Sequence, residues 1–298
     1  MKQLTPWEIK PYQLEGIDFL TQNPRSYLVA SMGAGKTLMT LSSVLELQDT
    51  GEIESAIVFA PSRVASEVWP GEHEKWTHLD GMQVTPLIRD KKKREKLIER
   101  HSDTTDVWVC AIENVKWLEQ MLKESRFPVP QAFFIDEITK VSKPGGERTK
   151  VFRRMSRSTK IKHWHELTGT PIATSPLALW APFHMLDGGE RLGKTYDMYK
   201  ARYFKARDKF GYRWDLQPGA IDRIAEQIRD ITHVIDVKDY ETVDEPIHVK
   251  RTFSLNKKAR KAYDDMSKEL VAGLADDVDI EDPDDPRVVE ALNDDTKI

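Results

Sequence analysis

The stretch that most limits what this chain can fold into is Ala30-Ser31-Met32-Gly33-Ala34-Gly35-Lys36-Thr37, which follows the apolar run Tyr27-Leu28-Val29 and precedes a segment with helical spacing. Glycines at 33 and 35, with Ala34 between them, let the backbone wrap close to a polyphosphate so that its N–H groups can donate. Lys36 can reach the outer phosphates, and the Thr37 hydroxyl can ligate Mg²⁺. Such a loop requires a strand before it and a helix after it, and both are readable here. The first glycine of the usual GxxxxGK[ST] pattern is replaced by Ala30. The motif therefore carries its reading only together with what lies downstream.

Composition narrows the setting. A chain of 298 residues can bury a large core as one big α/β domain or two smaller ones. Its single cysteine, Cys110, sits in the apolar run Val107-Trp108-Val109-Cys110, which excludes a disulfide framework and a Cys-based zinc site and points to a reducing, cytoplasmic setting. The N-terminus lacks an apolar signal core and no stretch reaches the length of a membrane span, so a soluble protein without a membrane partner is expected. The formal net charge of -4 is unevenly spread. Residues 276–298 hold ten acids and two bases, net -8, which leaves residues 1–275 at +4 and a polyanionic partner possible for that part.

Taken in order, Pro11 opens a helix with Leu14, Ile17 and Phe19-Leu20 at core-facing spacing, and Gln13 stands in its first turn. A glutamine amide both donates and accepts, which suits the N6/N7 edge of adenine, although in isolation a solvated first-turn glutamine explains it better. Leu38 to Leu47 reads as a helix, and Ala56-Ile57-Val58-Phe59-Ala60 as a buried parallel strand. The rhythm continues with a strand from Val84 to Ile88, a helix from Lys91 to Arg100, a strand from Val107 to Ile112 and a helix from Asn114 to Lys123. This is the alternation of a mainly parallel sheet with helices on both faces. The cluster Lys91-Lys92-Lys93-Arg94 is read as a solvated helix face.

Ala132-Phe133-Phe134-Ile135-Asp136-Glu137 is four apolar residues ending in two carboxylates. It describes a central strand that delivers Asp136 to the carboxyl edge of the sheet, where the phosphate loop also lies. Asp136 would hold Mg²⁺, and Glu137 would orient and deprotonate an attacking water. His163 and His165 alternate on a further strand and lack a third ligand nearby, so an ordinary surface or packing role explains them better than a metal does. That strand ends in Leu167-Thr168-Gly169-Thr170-Pro171, a tight bend carrying two hydroxyls.

In sequence order, the segments KPYQLEGIDFL, SMGAGKT, IVFAPSRV, FFIDEITKV and LTGTPI resemble the adenine-reading motif and motifs I, Ia, II and III of superfamily 2 helicases. Trp69-Pro70 with Lys75-Trp76, Lys143-Pro144-Gly145 through Arg148, and Leu179-Trp180 are similar to the Swi/Snf-type branch, the chromatin-remodeller-like DNA translocases. The run Leu186 to Gly193 with Arg202-Tyr203-Phe204 resembles compact bacteriophage or bacterial members, for which the host cytoplasm is the setting. The resemblance covers about residues 10–275. It implies a RecA-like first motor lobe, ATP and Mg²⁺ as cofactors, and tracking along duplex DNA without strand separation. Carried over residue by residue, Gln13 would read adenine, Lys36 and Thr37 would hold phosphate and metal, Asp136 and Glu137 would do the water chemistry, and Thr168 and Thr170 would link the nucleotide site to the DNA groove. The sequence departs from the branch in two places. Ala30-Ser31 stands where Asp-Glu is usual, and Thr139 stands where a histidine commonly follows the two carboxylates.

Past the Thr-Gly-Thr-Pro bend, an insertion over about 188–230 is expected to be helical, with Tyr196, Tyr199 and Tyr203 on one buried face. Lys200, Arg202, Lys205, Arg207, Lys209 and Arg213 fall largely between them and form a basic surface that is a candidate for DNA phosphate. The lobe is expected to span 1–237 and a crossing toward a second lobe 238–275. Seven acids in residues 276–285 then open a disordered linker over 276–298. The resemblance further implies that hydrolysis depends on arginines of a second RecA-like lobe lying outside these residues. The competing reading is a non-motor, DNA- or partner-binding regulatory module whose nucleotide loop is vestigial.

Overall fold

The computed structural model describes residues 3–87, 90–170, 172, 175–208, 213–240 and 254–276, with side chains described through 266. Two compact units separate, Met1–Val243 and Asp244–Ile298. The strands of the first unit are β1 (Arg25–Ala30), β2 (Ala56–Ala60), β3 (Val84–Leu87), β4 (Val107–Ala111), β5 (Ala132–Asp136), β6 (His163–Thr168), β7 (Phe204–Ala206), β8 (Trp214–Leu216) and β9 (Thr232–Ile235). Its helices are α1 (Pro11–Gln22), α2 (Lys36–Asp49), α3 (Ser62–Glu67), α4 (Trp69–Glu72), α5 (Lys91–His101), α6 (Val115–Lys123), α7 (Glu147–Met155), α8 (Trp180–Asp187), α9 (Tyr196–Tyr203) and α10 (Ala220–Ile228). The second unit contributes α11 (Lys257–Asp276).

Seven strands form one sheet in the order β3-β4-β2-β5-β6-β1-β9, and every pairing within it is parallel. The continuous apolar runs of β2, β4 and β5 follow from this. A parallel strand covered by helices on both faces must present apolar side chains to both. Alternate strand residues divide between two cores. Tyr27, Val29, Ile57, Phe59, Phe133 and Ile135 pack toward α6 to α10, whereas Leu28, Ala30, Val58, Ala60 and Phe134 pack toward α1 to α4. Cys110 is fully buried in the first of these.

Several expectations change in detail. Lys91, Lys92 and Lys93 are exposed, but Arg94 is buried with its guanidinium 4.2 Å from the Trp117 ring centre, because its stem lies on the core side of α5. For His165 the packing alternative holds. The residue is buried, stacked on Phe134 at 4.6 Å and bonded through Nδ1 to the Ser26 hydroxyl at 2.7 Å. His163 lies beside it, with Nε2 at 3.3 Å from a Glu52 carboxylate oxygen. The insertion is not wholly helical, since β7 and β8 form an antiparallel hairpin between α9 and α10. The Tyr240 ring packs 5.2 Å from Tyr12 and its hydroxyl donates to Glu15 at 3.0 Å. The expected crossing falls partly outside the described residues, and residues 277–298 lie wholly outside them. Among the described residues no helix is long and apolar enough to cross a membrane.

Candidate nucleotide site

The site is built where β5, β6 and β1 end side by side. Their registers pair Asp136 with Leu167 and Val29 with Thr168, so the phosphate loop, the two carboxylates and the Thr-Gly-Thr bend emerge at the same edge of the sheet. In open α/β sheets this carboxyl edge is where ligands bind.

The loop after β1 turns through left-handed backbone at Gly33 (φ +84°) and Gly35 (φ +87°) before α2 begins at Lys36. Gly35 has a second requirement, because a Cβ there would collide with the Gln13 side-chain amide. Gln13 is buried, donates from Nε2 to the Ala34 carbonyl at 3.1 Å, and accepts from the Lys10 backbone N–H at 3.0 Å. It thus braces the loop from α1 rather than standing solvated. An amide has two N–H donors and two acceptor lone pairs, so one of each remains for a ligand. Lys36 Nζ donates to the Ala30 carbonyl at 2.8 Å and the Ser31 carbonyl at 3.4 Å, which folds the cation back over its own loop.

Asp136 is 6% exposed, and the Trp69 indole N–H donates to its Oδ2 at 3.2 Å. Burial pushes the Asp136 carboxyl up to about 6, against the opposing pull of the Trp69 bond and the Lys36 charge, while the neighbouring Glu137 charge adds to the rise. Glu137 adopts the left-handed conformation (φ 57°, ψ 55°) that is costly for a residue with a Cβ. Such strain persists only where the surroundings over-determine it and is concentrated at working sites. The Gly169 backbone stands beside both key charges, since a Cβ built there would lie 3.8 Å from Glu137 Oε1 and 3.8 Å from Lys36 Nζ. The bend itself is closed by Thr168, whose hydroxyl donates to the Thr170 carbonyl at 2.9 Å and accepts the Thr170 N–H at 3.1 Å.

These residues fit a nucleotide carried with Mg²⁺. The Thr37 hydroxyl and the Asp136 carboxylate are hard oxygen donors, and Mg²⁺ is ordinarily bound by one or two such groups completed by substrate phosphates and water. The loop backbone and Lys36 supply the phosphate side.

The basic residues of the insertion are placed unevenly. Tyr199 and Tyr203 are buried as expected and Tyr196 is half-buried. Lys200 is drawn in among aromatics, its Nζ 4.7 Å from the Trp214 ring centre, 5.0 Å from that of Tyr196 and 2.9 Å from Asp197. Arg202 donates to the Arg191 carbonyl at 3.3 Å. Lys205, Arg207 and Arg213 are exposed along the β7-β8 hairpin, where the Arg207 N–H bonds the Arg213 carbonyl at 2.8 Å. Lys209 lies outside the described residues.

Two participants carried no role in the sequence reading. Trp69 belonged to a family segment without a function, and a buried indole N–H does require an acceptor, but nothing local says that the acceptor is Asp136. Gly169 was read only as part of a bend.

Residues 12–204 match the SNF2-related domain family. Protein p41 of Acyrthosiphon pisum secondary endosymbiont phage 1 is 34% identical over 284 residues, covering 93% of this chain and 60% of the phage protein. The ISWI chromatin-remodeling complex ATPase ISW1 of Saccharomyces cerevisiae is 25% identical over 186 residues, covering 60% of this chain and 16% of ISW1. The chain therefore spans less than two thirds of the length of either relative. Among solved structures, the Sulfolobus solfataricus SWI2/SNF2 ATPase core in complex with dsDNA superimposes with a TM-score of 0.59 at 19% identity, over 76% of this chain and 44% of that one. That likeness identifies the fold as the RecA-like one of SWI2/SNF2 ATPase cores. With its described motifs gathered at one sheet edge and two thirds of its length matched, this chain belongs to the SNF2-related domain family.

Proposed function

We propose that residues 1–243 are the ATP-binding motor lobe of a DNA-dependent ATPase that moves along duplex DNA, and that its hydrolysis waits on arginines from a second RecA-like lobe. The observation that carries this reading is the convergence of Lys36 and Glu137 on Gly169, which brings a phosphate-binding cation and a carboxylate together where three strands end. The loop N–H groups and Lys36 hold the phosphates, and Lys36 exchanges its loop carbonyls for phosphate oxygens when nucleotide arrives. Thr37 and Asp136 hold Mg²⁺, which when bound neutralises charge on the phosphates. Glu137 orients the attacking water and accepts its proton. Gln13 uses its remaining donor and acceptor on adenine. Thr168 and Thr170, tied to each other beside Glu137, relay DNA contact to the nucleotide, and the exposed insertion cations Arg202, Lys205, Arg207 and Arg213 provide the candidate DNA surface, with Lys200 held among aromatics behind them.

A second lobe supplying an arginine is worth roughly 10³ to 10⁵ in rate in comparable phosphoryl-transfer enzymes. Steady-state phosphate release tests the proposal with this chain alone and with the second lobe present, each with and without duplex DNA. The expected result is near-background release by the chain alone and DNA-stimulated release with the second lobe, abolished by Glu137→Gln. Robust DNA-stimulated release by these 298 residues alone would overturn the dependence on a second lobe.

A further inference from the structure

The chain returns to the sheet rim immediately after β2. Pro61 ends the strand, α3 and α4 follow, and the first residue of α4 is Trp69, which is fully buried in the core that also holds Ala60, Ala65 and Phe134. β2 lies next to β5, with Phe59 opposite Ile135, so this return passes beside the end of β5, where Asp136 sits. The indole has a single polar atom, Nε1–H, and its partner is Asp136 Oδ2 at 3.2 Å, across 67 positions of sequence. A carboxylate on a strand end rotates about its terminal torsion unless something holds it, because that torsion is broad. Here the buried, two-ring indole holds it.

We infer that Trp69 is a positioning residue for the metal ligand: its N–H pins Asp136 Oδ2, so that Oδ1 is the oxygen presented to the Mg²⁺ of the nucleotide. The inference rests on the reading of Asp136 as that ligand. The indole never touches nucleotide or metal. It acts by fixing the plane of the group that does, as hydrogen-bond partners of metal ligands do elsewhere, where their removal typically costs about 10- to 100-fold in metal affinity. It also ties the segment after β2 to the nucleotide pocket, so a displacement of α4 is felt directly at Asp136.

The test is the affinity of a fluorescent ATP analogue for the full chain, titrated in EDTA and again across Mg²⁺ concentrations. In Trp69→Phe, affinity in EDTA is expected to stay within about twofold of the parent, while the Mg²⁺-dependent gain falls about 10- to 100-fold. Benzothienylalanine at position 69, which keeps the bicyclic shape and lacks the N–H, should show the same loss at an unchanged melting temperature, and it separates the bond from packing if the phenylalanine variant folds poorly. Asp136→Asn serves as the reference for a lost ligand. If Asp136→Asn removes the Mg²⁺ gain and the benzothienylalanine protein keeps it in full, the positioning role is overturned and the ligand reading stands. If Asp136→Asn leaves the gain intact, the ligand reading itself fails and the inference with it. An equal loss in EDTA and in Mg²⁺ would make Trp69 a packing residue only.

Discussion

The rim of the sheet and the insertion after α8 both carry basic side chains expected to meet phosphate, yet they treat them in opposite ways. At the rim Lys36 is held by hydrogen bonds to backbone carbonyls of the loop it serves, and its neighbours are fixed by Gln13, Trp69 and the Thr168 hydroxyl. In the insertion the fate of each cation is set by aromatic packing. Lys200 is absorbed between Tyr196 and Trp214, whereas Lys205, Arg207 and Arg213 are left facing water on a short hairpin. A cation on a pre-organised loop gives up little freedom on meeting a ligand, while exposed arginines give up side-chain entropy and exchange contacts with solvent and salt. The rim is thus suited to strong, geometric recognition and the hairpin to weak, sliding contact.

Substitutions at four places probe that contrast. The largest effect belongs to Lys36→Ala, which removes two or more charge-assisted bonds to phosphate, each worth about 1.5–3 kcal/mol. Affinity for a fluorescent ATP analogue with Mg²⁺ should fall by about 10² or more with the fold retained, and unchanged affinity would end the nucleotide-site reading. Next is Asp136→Asn, read in stability without nucleotide. The Asp136 carboxyl is raised from 3.8 to about 6, so between those values the folded protein binds more protons than the unfolded chain. Its contribution to stability is therefore full below about pH 4 and is lost as pH rises through about 6. A shift of that size corresponds to about 3 kcal/mol. Asparagine carries no charge to bury and still accepts the indole bond, so the variant should be more stable than the parent above pH 6 and differ little below pH 4, as denaturant melts across that range would show.

The third concerns Gln13. Guanine presents O6 where adenine presents an N6 donor, and the mismatch leaves amide groups unpaired at a cost of about 1–2 kcal/mol. ATP should compete about tenfold better than GTP for the parent, and Gln13→Ala should weaken both and erase the difference. Equal competition against the parent would leave Gln13 as a brace of the loop alone. The smallest effects separate the hairpin from the half-buried Lys200. Arg207→Ala and Arg213→Ala should each lower the log–log salt slope of duplex binding by about 0.9 without changing melting. Lys200→Ala should leave the slope alone and lower stability by about 0.5–1 kcal/mol through its lost ring contacts. Anisotropy at several salt concentrations, with paired melts, distinguishes them, and the reverse pattern would assign the DNA surface to α9.

What could be read from the chain before its fold was known depended on range. The loop from 30 to 37 and the carboxylates at 136 and 137 were legible because strand, turn and helix signals lie within a few residues of the chemistry they position. The hairpin of Phe204–Ala206 and Trp214–Leu216 was not, since three-residue strands are too short to show alternation. Arg94 and Lys200 were read as solvated or DNA-facing because charge is visible in sequence, while the rings of Trp117 and Trp214 that receive them are not adjacent in it.

By itself the sequence determined the alternation of strands and helices, the two-sided burial of the parallel strands, the left-handed turns at Gly33 and Gly35, and which residue types end β1 and β5. All of these follow from local backbone preference and hydrophobic period. Only the tertiary structure decided that β6 lies between β5 and β1, so that Gly169 stands between Lys36 and Glu137, and that the indole of Trp69 spends its one donor on Asp136. Strand order and the partner of a buried N–H are chosen by packing between segments far apart in the chain, where every buried polar group must find an acceptor among whatever the whole fold brings near.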